Sequence, residues 1–308
     1  TLVIRNVSIG PLTIGYNAGD TDNYSWYKLG GFTFQPTELA KISFILTFAM
    51  HLNNVRSRLN EPKELGKLLL HLFVPIGIIH IQGDDGTAII YGIIGCCMLF
   101  AAGLSWKYII GAFAALAAAA AVVFAFFSDK IGKGYQWYRI LAVIDPNNET
   151  GWAPSETIWK NIVYQQQRGE IAIGSGGLLG RGLGNGLQKQ LYLPEPHNDF
   201  IFATWCEEMG LIGALLVILL FAYLIYRGFR VARYAPDKFG SLLATGITAK
   251  LAIQTLMNLF VVTGIMPVTG AALPFFSYGG TALLLQLGEM GILLNISRYM
   301  RIDGRNQD

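Results

Sequence analysis

Charge is what this sequence has least of. Only 14% of its 308 residues are Asp, Glu, Lys or Arg, where a soluble domain carries about 25%. Too few charges remain to coat a soluble single-core enzyme. Cysteine is scarce too, with three in the chain, so no disulfide framework is available. Cys96, Cys97 and Cys206 each stand inside an apolar run and read as small buried hydrophobes. A net charge of +3 is too weak to suggest nucleic-acid binding. No secretory leader opens the chain, which starts at Thr1 rather than Met and reads as a fragment. What abounds is apolar: 53% of residues, with a mean hydropathy of +0.43. That is too apolar for disorder. The class left is an all-α polytopic integral membrane protein.

A span needs about 20 residues. Seven segments are expected to cross, near 36–54, 65–81, 87–104, 107–127, 200–226, 241–264 and 279–298. One set of short connections carries Arg56, Arg58, Lys63 and Lys67, then Lys107, then Arg227, Arg230, Arg233 and Lys238, then Arg298, Arg301 and Arg305. The alternate connections, 82–86 and 265–278, carry no base. The positive-inside rule makes the first set cytoplasmic, with the C-terminus inside. Residues 128–199 form one long outer loop, expected to hold short helices on the outer surface. Residues 1–34, with Arg5, Asp20, Asp22 and Lys28, read as an outer-face segment. The whole of 1–308 reads as one membrane domain.

Charges inside spans cost about 2.5–3.5 kcal/mol each and need a reason. Lys250 lies midway along the sixth span, followed by Gln254 and Asn258 on the same side. Glu289 lies midway along the last, with Gln286 one turn away. A Lys250–Glu289 ion pair, or a polar cavity wall or proton path, would account for them. Of the adjacent Glu207 and Glu208, at least one should meet a cavity or a cation. Lys41, near the start of the first span, either snorkels outward or meets an anionic headgroup. His71 and His80 show no metal-ligand spacing and read as hydrogen-bonded packing residues. Gly264, Pro267, Gly270 and Pro274 precede Ser277-Tyr278-Gly279-Gly280. Such irregular backbone at membrane depth belongs beside a cavity, or in a plain re-entrant turn.

The densest polar chemistry lies late in the long loop. Gly174 to Gly177 and Gly180 to Asn185 are glycine-rich, with Arg168, Arg181 and Lys189 nearby. Glycine backbones and arginine forks suit phosphate oxygens, although such runs are equally simple turns. Leu193-Pro194-Glu195-Pro196-His197-Asn198-Asp199-Phe200 follows. Asp199 either caps the next helix or stands at a cavity mouth as a general base or metal ligand.

These stretches, in order, resemble the SEDS family (shape, elongation, division and sporulation), that of FtsW, RodA and SpoVE. Trp26 with Gly30-Gly31 and Gln35 to Lys41 resembles its W…G…QPSE-A-K stretch. Gln82 to Ala88 is similar to Q-P-D-x-G-T-A, Ala172 to Gly177 to A-I-G-S-G-G, and Gly180-Arg181-Gly182 to G-K-G. Leu193 to Phe200 resembles L-P-E-A-H-T-D-F. Asn258, Gly264, Pro267, Gly270 and Leu273 to Gly280 resemble its C-terminal signature. Gly83 departs from the usual Pro, and Arg168-Gly169 from Gln-Ser. The family pattern has ten spans, so the first three are expected to be absent here.

The resemblance implies a peptidoglycan glycosyltransferase that polymerises lipid II at the outer face of the bacterial cytoplasmic membrane. It would serve elongation, division or sporulation beside a class B penicillin-binding protein. It implies Asp199 as the essential acid. Lys41, Arg168, Arg181, Lys189, Glu195, His197, Trp26 and Asp84 are expected to bind substrate. Glu38, Glu207, Lys250, Glu289 and Ser277 are expected as polar or structural cavity groups. No cofactor is required by the pattern, though a divalent cation would suit Asp199. A lipid II flippase and a non-catalytic scaffold are the competing readings.

Overall fold

The computed structural model describes residues 7–9, 12–16, 26–29, 32–108, 110–111, 135–149, 151, 156–194 and 196–300. Helices dominate. Among the described residues, five are long and apolar enough to cross a membrane: α2 (Pro62–Ile81), α3 (Asp85–Ala102), α7 (Ile201–Tyr234), α8 (Lys238–Val262) and α9 (Gly280–Arg298). Helix α1 (Pro36–Val55) matches α2 in length. The span expected at 107–127 lies almost wholly outside the described residues.

The chain divides into two compact units. The first comprises 1–104, 222–253 and 279–308, the second 105–221 and 254–278. In the first unit, the segment expected only as an outer-face stretch contains an antiparallel meander: β1 (Val7–Ile9), β2 (Leu12–Tyr16), β3 (Trp26–Leu29) and β4 (Phe32–Phe34). Val7 pairs with Ile14, Leu12 with Leu29, and Tyr27 with Phe34. The β-branched and aromatic residues in these short runs suit strands.

Helix starts follow local chemistry. Pro36 and Pro62 open α1 and α2, where a missing N–H costs nothing. The Asp84 carboxylate accepts from Thr87 N at 3.0 Å and caps α3. Helix α1 packs on α2, α3 and α9. Phe44 stacks on Phe48 at 5.2 Å and meets Tyr91 at 5.0 Å. A Cβ at Gly95 of α3 would run into the Leu72 side chain of α2, so glycine sets that close approach.

In the second unit, α4 (Tyr135–Ile144), α5 (Glu156–Gly176) and α6 (Gln188–Leu191) occupy the long loop. Short helices were expected, yet α5 runs 21 residues. It absorbs Gly174 to Gly176 as its last turn, so these glycines are helical rather than an open phosphate cradle. Helix α7 is broken at Gly210 (φ 65°, ψ −167°), a region open essentially to glycine. The break frees backbone groups, and the segment after α5 takes them up. Arg181 N and Gly182 N donate to the Glu207 and Glu208 carbonyls, each at 3.0 Å. Leu211 N and Ile212 N donate to Gly177 O and Leu178 O at 2.9 and 3.3 Å. Four backbone hydrogen bonds thus bridge the break.

Candidate functional site

The residues before α7 are held by consecutive clamps within the second unit. The carbonyls of 197, 198 and 199 all accept hydrogen bonds. Tyr278 N donates to His197 O at 2.9 Å, Ser277 Oγ to Asn198 O at 2.8 Å, and Asn258 Nδ2 to Asp199 O at 2.7 Å. Ser277 Oγ also accepts from Leu273 N at 2.7 Å, which folds the 273–277 turn around it. Asn258 spends its other amide hydrogen on Ala271 O at 2.8 Å. One fully buried amide therefore ties the 199 backbone to the 271 backbone.

Asp199 itself is half-buried. The first helical bond of α7 runs from Thr204 N to Phe200 O, so Phe200 holds the cap position and Asp199 lies one residue outside it. Phe200 is fully buried and seats against Gly169, where a Cβ would come within 2.7 Å of its ring. Opposite, Gly270 takes a left-handed backbone (φ 73°) that favours glycine, and a Cβ there would stand in ordinary contact, 3.5 Å, with Asp199 Oδ2. The Pro194–Pro196 approach is tied down by Thr204 Oγ1 donating to Pro196 O at 3.2 Å. Glu195 lies outside the described residues. His197 is exposed and meets the Tyr278 ring edge-on at 5.8 Å.

Sequence reasoning missed the supports behind this turn. Arg139 of α4 donates to Val268 O at 2.9 Å. Gln166 and Glu170 of α5 are joined at 3.3 Å. They leave no room for a Cβ at Gly264, which sits at φ 74°. The only sequence signal was polar residues recurring at i and i+4 on α5.

The cations expected around a pyrophosphate fare differently. Arg168 lies between the rings of Tyr164 and Tyr192, 4.9 and 5.1 Å from their centroids. Such stacking uses the guanidinium face and leaves its edge for oxygen acceptors. Arg181 Nε donates to Ser175 O at 3.3 Å and lies 4.0 Å from Glu207. Lys189 is committed to Glu208 in an ion pair. Glu207 is fully buried and accepts from Leu187 N at 2.9 Å and Gln188 N at 3.1 Å. The two carboxylates thus anchor the glycine-rich segment to α7. A cavity of about 330 Å³ beside the α7 break is lined by Gly174, Gly177, Cys206 and Gly210, and holds none of the expected site residues.

The remaining expected residues belong to the first unit. The Lys250–Glu289 pair is present at 2.6 Å. Lys41 is not at an interface: it is 2% exposed and paired with Glu38 at 2.6 Å. Glu38 in turn stands 4.0 Å from Lys250, so Lys41, Glu38, Lys250 and Glu289 form one buried, net-neutral chain. A charge there is tolerable only because each neutralises the next. Asp84, expected to bind substrate, serves as the α3 cap. Trp26 lies in β3 opposite Tyr16. Among the described residues no group of three or more His, Cys, Asp or Glu could hold a metal ion.

The FtsW/RodA/SpoVE pattern, described as cell cycle protein, matches residues 3–302. The chain belongs to this family. It is 38% identical over 307 residues to the FtsW of Bacillus subtilis (strain 168), covering 95% of this chain and 71% of that one. Stage V sporulation protein E of the same organism is 38% identical over 283 residues, covering 90% and 72%. Peptidoglycan glycosyltransferase MrdB of Escherichia coli (strain K12) is 37% identical over 280 residues, covering 90% and 71%. Among solved structures, a peptidoglycan synthase complex matches with a TM-score of 0.72 at 27% identity, covering 92% of this chain and 76% of that one. The Thermus thermophilus rod shape determining protein RodA matches with a TM-score of 0.60 at 26% identity, covering 94% and 74%. Like these relatives, the FtsW/RodA/SpoVE chain described here is a helical, multi-pass membrane protein.

Proposed function

We propose that this chain is a peptidoglycan glycosyltransferase that polymerises lipid II, with Asp199 as its base. The observation that carries the assignment is the triple clamp on the 197–199 carbonyls. Three donors from 258–278 fix the backbone that presents this carboxylate. The family membership points to the same activity, which the Escherichia coli relative carries in its name.

In the proposed step, Asp199 takes the proton from a sugar 4-hydroxyl as that oxygen attacks the anomeric carbon of a second lipid-linked sugar. The bond from that carbon to the pyrophosphate oxygen breaks, and undecaprenyl pyrophosphate leaves with the electron pair. Direct displacement turns an α-linked donor into a β-1,4 product. Arg168 and Arg181 are the candidates for stabilising the departing pyrophosphate, since Lys41 and Lys189 are occupied by carboxylates. The basic connections support a cytoplasmic C-terminus, with Asp199 then on the outer side. A class B penicillin-binding protein is the proposed partner. The solved synthase complex couples polymerization to crosslinking.

The test is polymerisation of purified lipid II by the full-length protein with its partner, comparing wild type with Asp199→Asn. Glycan chains from wild type alone are expected. Chains from the Asn variant at the normal rate would remove Asp199 from the chemistry. No chains from either would favour a flippase or a scaffold, separable by a vesicle flipping assay.

A further inference from the structure

The last three turns of α7 carry a pattern that the polymerase reading does not use. Tyr223, Arg227, Arg230 and Tyr234 are spaced i, i+4, i+7 and i+11, so they fall on one stripe of the helix. Each arginine is set against an aromatic ring. Arg227 Nη1 donates to Tyr223 OH at 3.0 Å, and its guanidinium lies 5.8 Å from that ring. The Arg230 guanidinium lies 6.0 Å from the Tyr234 ring, and that of Arg233 lies 5.7 Å from it. Arg227, Arg233 and Tyr223 are exposed. From Leu211 to Tyr234 the helix contains no acidic residue. Among the described residues, no ion pair involves Arg227, Arg230 or Arg233.

Two cations three residues apart on a helix repel, at a cost of a few tenths of a kcal/mol. An orientation signal alone would need only charge, and lysines scattered over the loops would supply it. Here the guanidiniums are set against rings and, among the described residues, left without a carboxylate. A 20-residue span counted from the Gly210 break ends at Arg230. Tyrosines flanking the pair suit the headgroup level of a bilayer. Planar forks match the oxygens of a phosphodiester.

We propose that the Tyr223–Arg227–Arg230–Tyr234 stripe is a binding site for the phosphodiester headgroup of an anionic membrane lipid. The proposal is independent of the role of Asp199. The two arginines grip the phosphate oxygens, while the tyrosine rings lie along the upper acyl chains and glycerol.

The test uses the full-length protein, purified in detergent and offered equal amounts of phosphatidylglycerol and phosphatidylcholine with identical acyl chains. Lipid that co-elutes is quantified by mass spectrometry. Wild type is expected to retain phosphatidylglycerol preferentially, and each arginine lost should lower that preference about fivefold. Arg227→Gln/Arg230→Gln should bring it near parity. Arg227→Lys/Arg230→Lys, which keeps charge and folding but loses the forks, should fall between the two. Arg58→Gln/Lys63→Gln removes the same charge elsewhere and should leave the preference nearly intact. An equal loss in that control would overturn the site in favour of a diffuse field. No preference in wild type, or an undiminished one in the Gln variant, would overturn it as well. If the Gln variant keeps its lipid and instead loses an acidic protein partner, the stripe is a protein-docking surface and the proposal fails.

Discussion

Asn258→Ala is the sharpest probe of the clamp at the candidate site. The Asn258 amide donates to Asp199 O at 2.7 Å and Ala271 O at 2.8 Å, and the side chain is fully buried. Its own Oδ1 has no hydrogen-bond partner. The residue therefore acts through its two N–H groups. Removing them strands two carbonyls, at about 1–3 kcal/mol each if neither finds water. Relaxation of the 270–278 turn recovers part of that, so a loss of about 2–4 kcal/mol in stability is expected. The larger effect should be on turnover. Freeing the 199 backbone misplaces the carboxylate, and a 1 Å error at a reacting group costs about 10²-fold. Lipid II polymerisation should show kcat down by about that factor with KM changed far less. Asn258→Asp, which turns both donors into acceptors facing carbonyls, should be worse than Ala on both counts. The reasoning fails if Asn258→Ala melts lower but keeps its kcat, because the clamp would then serve stability alone.

Three further outcomes are expected. Glu289→Gln leaves Lys250 buried with only Glu38 at 4.0 Å to share, and should cost about 3–5 kcal/mol. Lys250→Met/Glu289→Met should return to within about 1 kcal/mol of wild type; thermal melts of all three in detergent decide, and a double variant no better than the single refutes the pairing. Gly210→Ala forces a Cβ against Leu178 O and into a glycine-only backbone region; a lower yield of monodisperse protein is expected, and normal yield and melting would deny the break in α7. Glu207→Gln keeps one acceptor for Leu187 N and Gln188 N, so it should melt closer to wild type than Glu207→Ala, with limited proteolysis cutting the 177–190 segment faster only in the latter.

Much of the helical framework was legible because apolar length is a local property. The expected spans at 36–54, 65–81 and 87–104 correspond to α1, α2 and α3 within a few residues at each end. Helix α7 continues two turns past its expected end, since arginine and tyrosine lower hydropathy without breaking a helix. The meander was not foreseen, because its strands are only three to five residues long and too short for alternation to register. The site was legible in part. Asp199 and Ser277 were singled out from their motifs, but nothing local ties 277 to 198 or 258 to 199.

Hydropathy and motif order alone pointed to a helical membrane protein of the FtsW/RodA/SpoVE family, and marked Lys250 and Glu289 as charges that needed a partner or a polar cavity. The membrane class and the cost of the two charges follow from transfer free energies, which depend on each residue and not on its neighbours. Tertiary structure decided which cations are occupied and which carbonyls are clamped. Lys41 went to Glu38 and Lys189 to Glu208, while Arg168 stayed between two rings. Lys41–Glu38 is a pair three residues apart on one helix, but Lys189–Glu208 and the clamps on the 198 and 199 carbonyls join residues distant in the chain, and such contacts of a few ångströms exist only once the helices have packed.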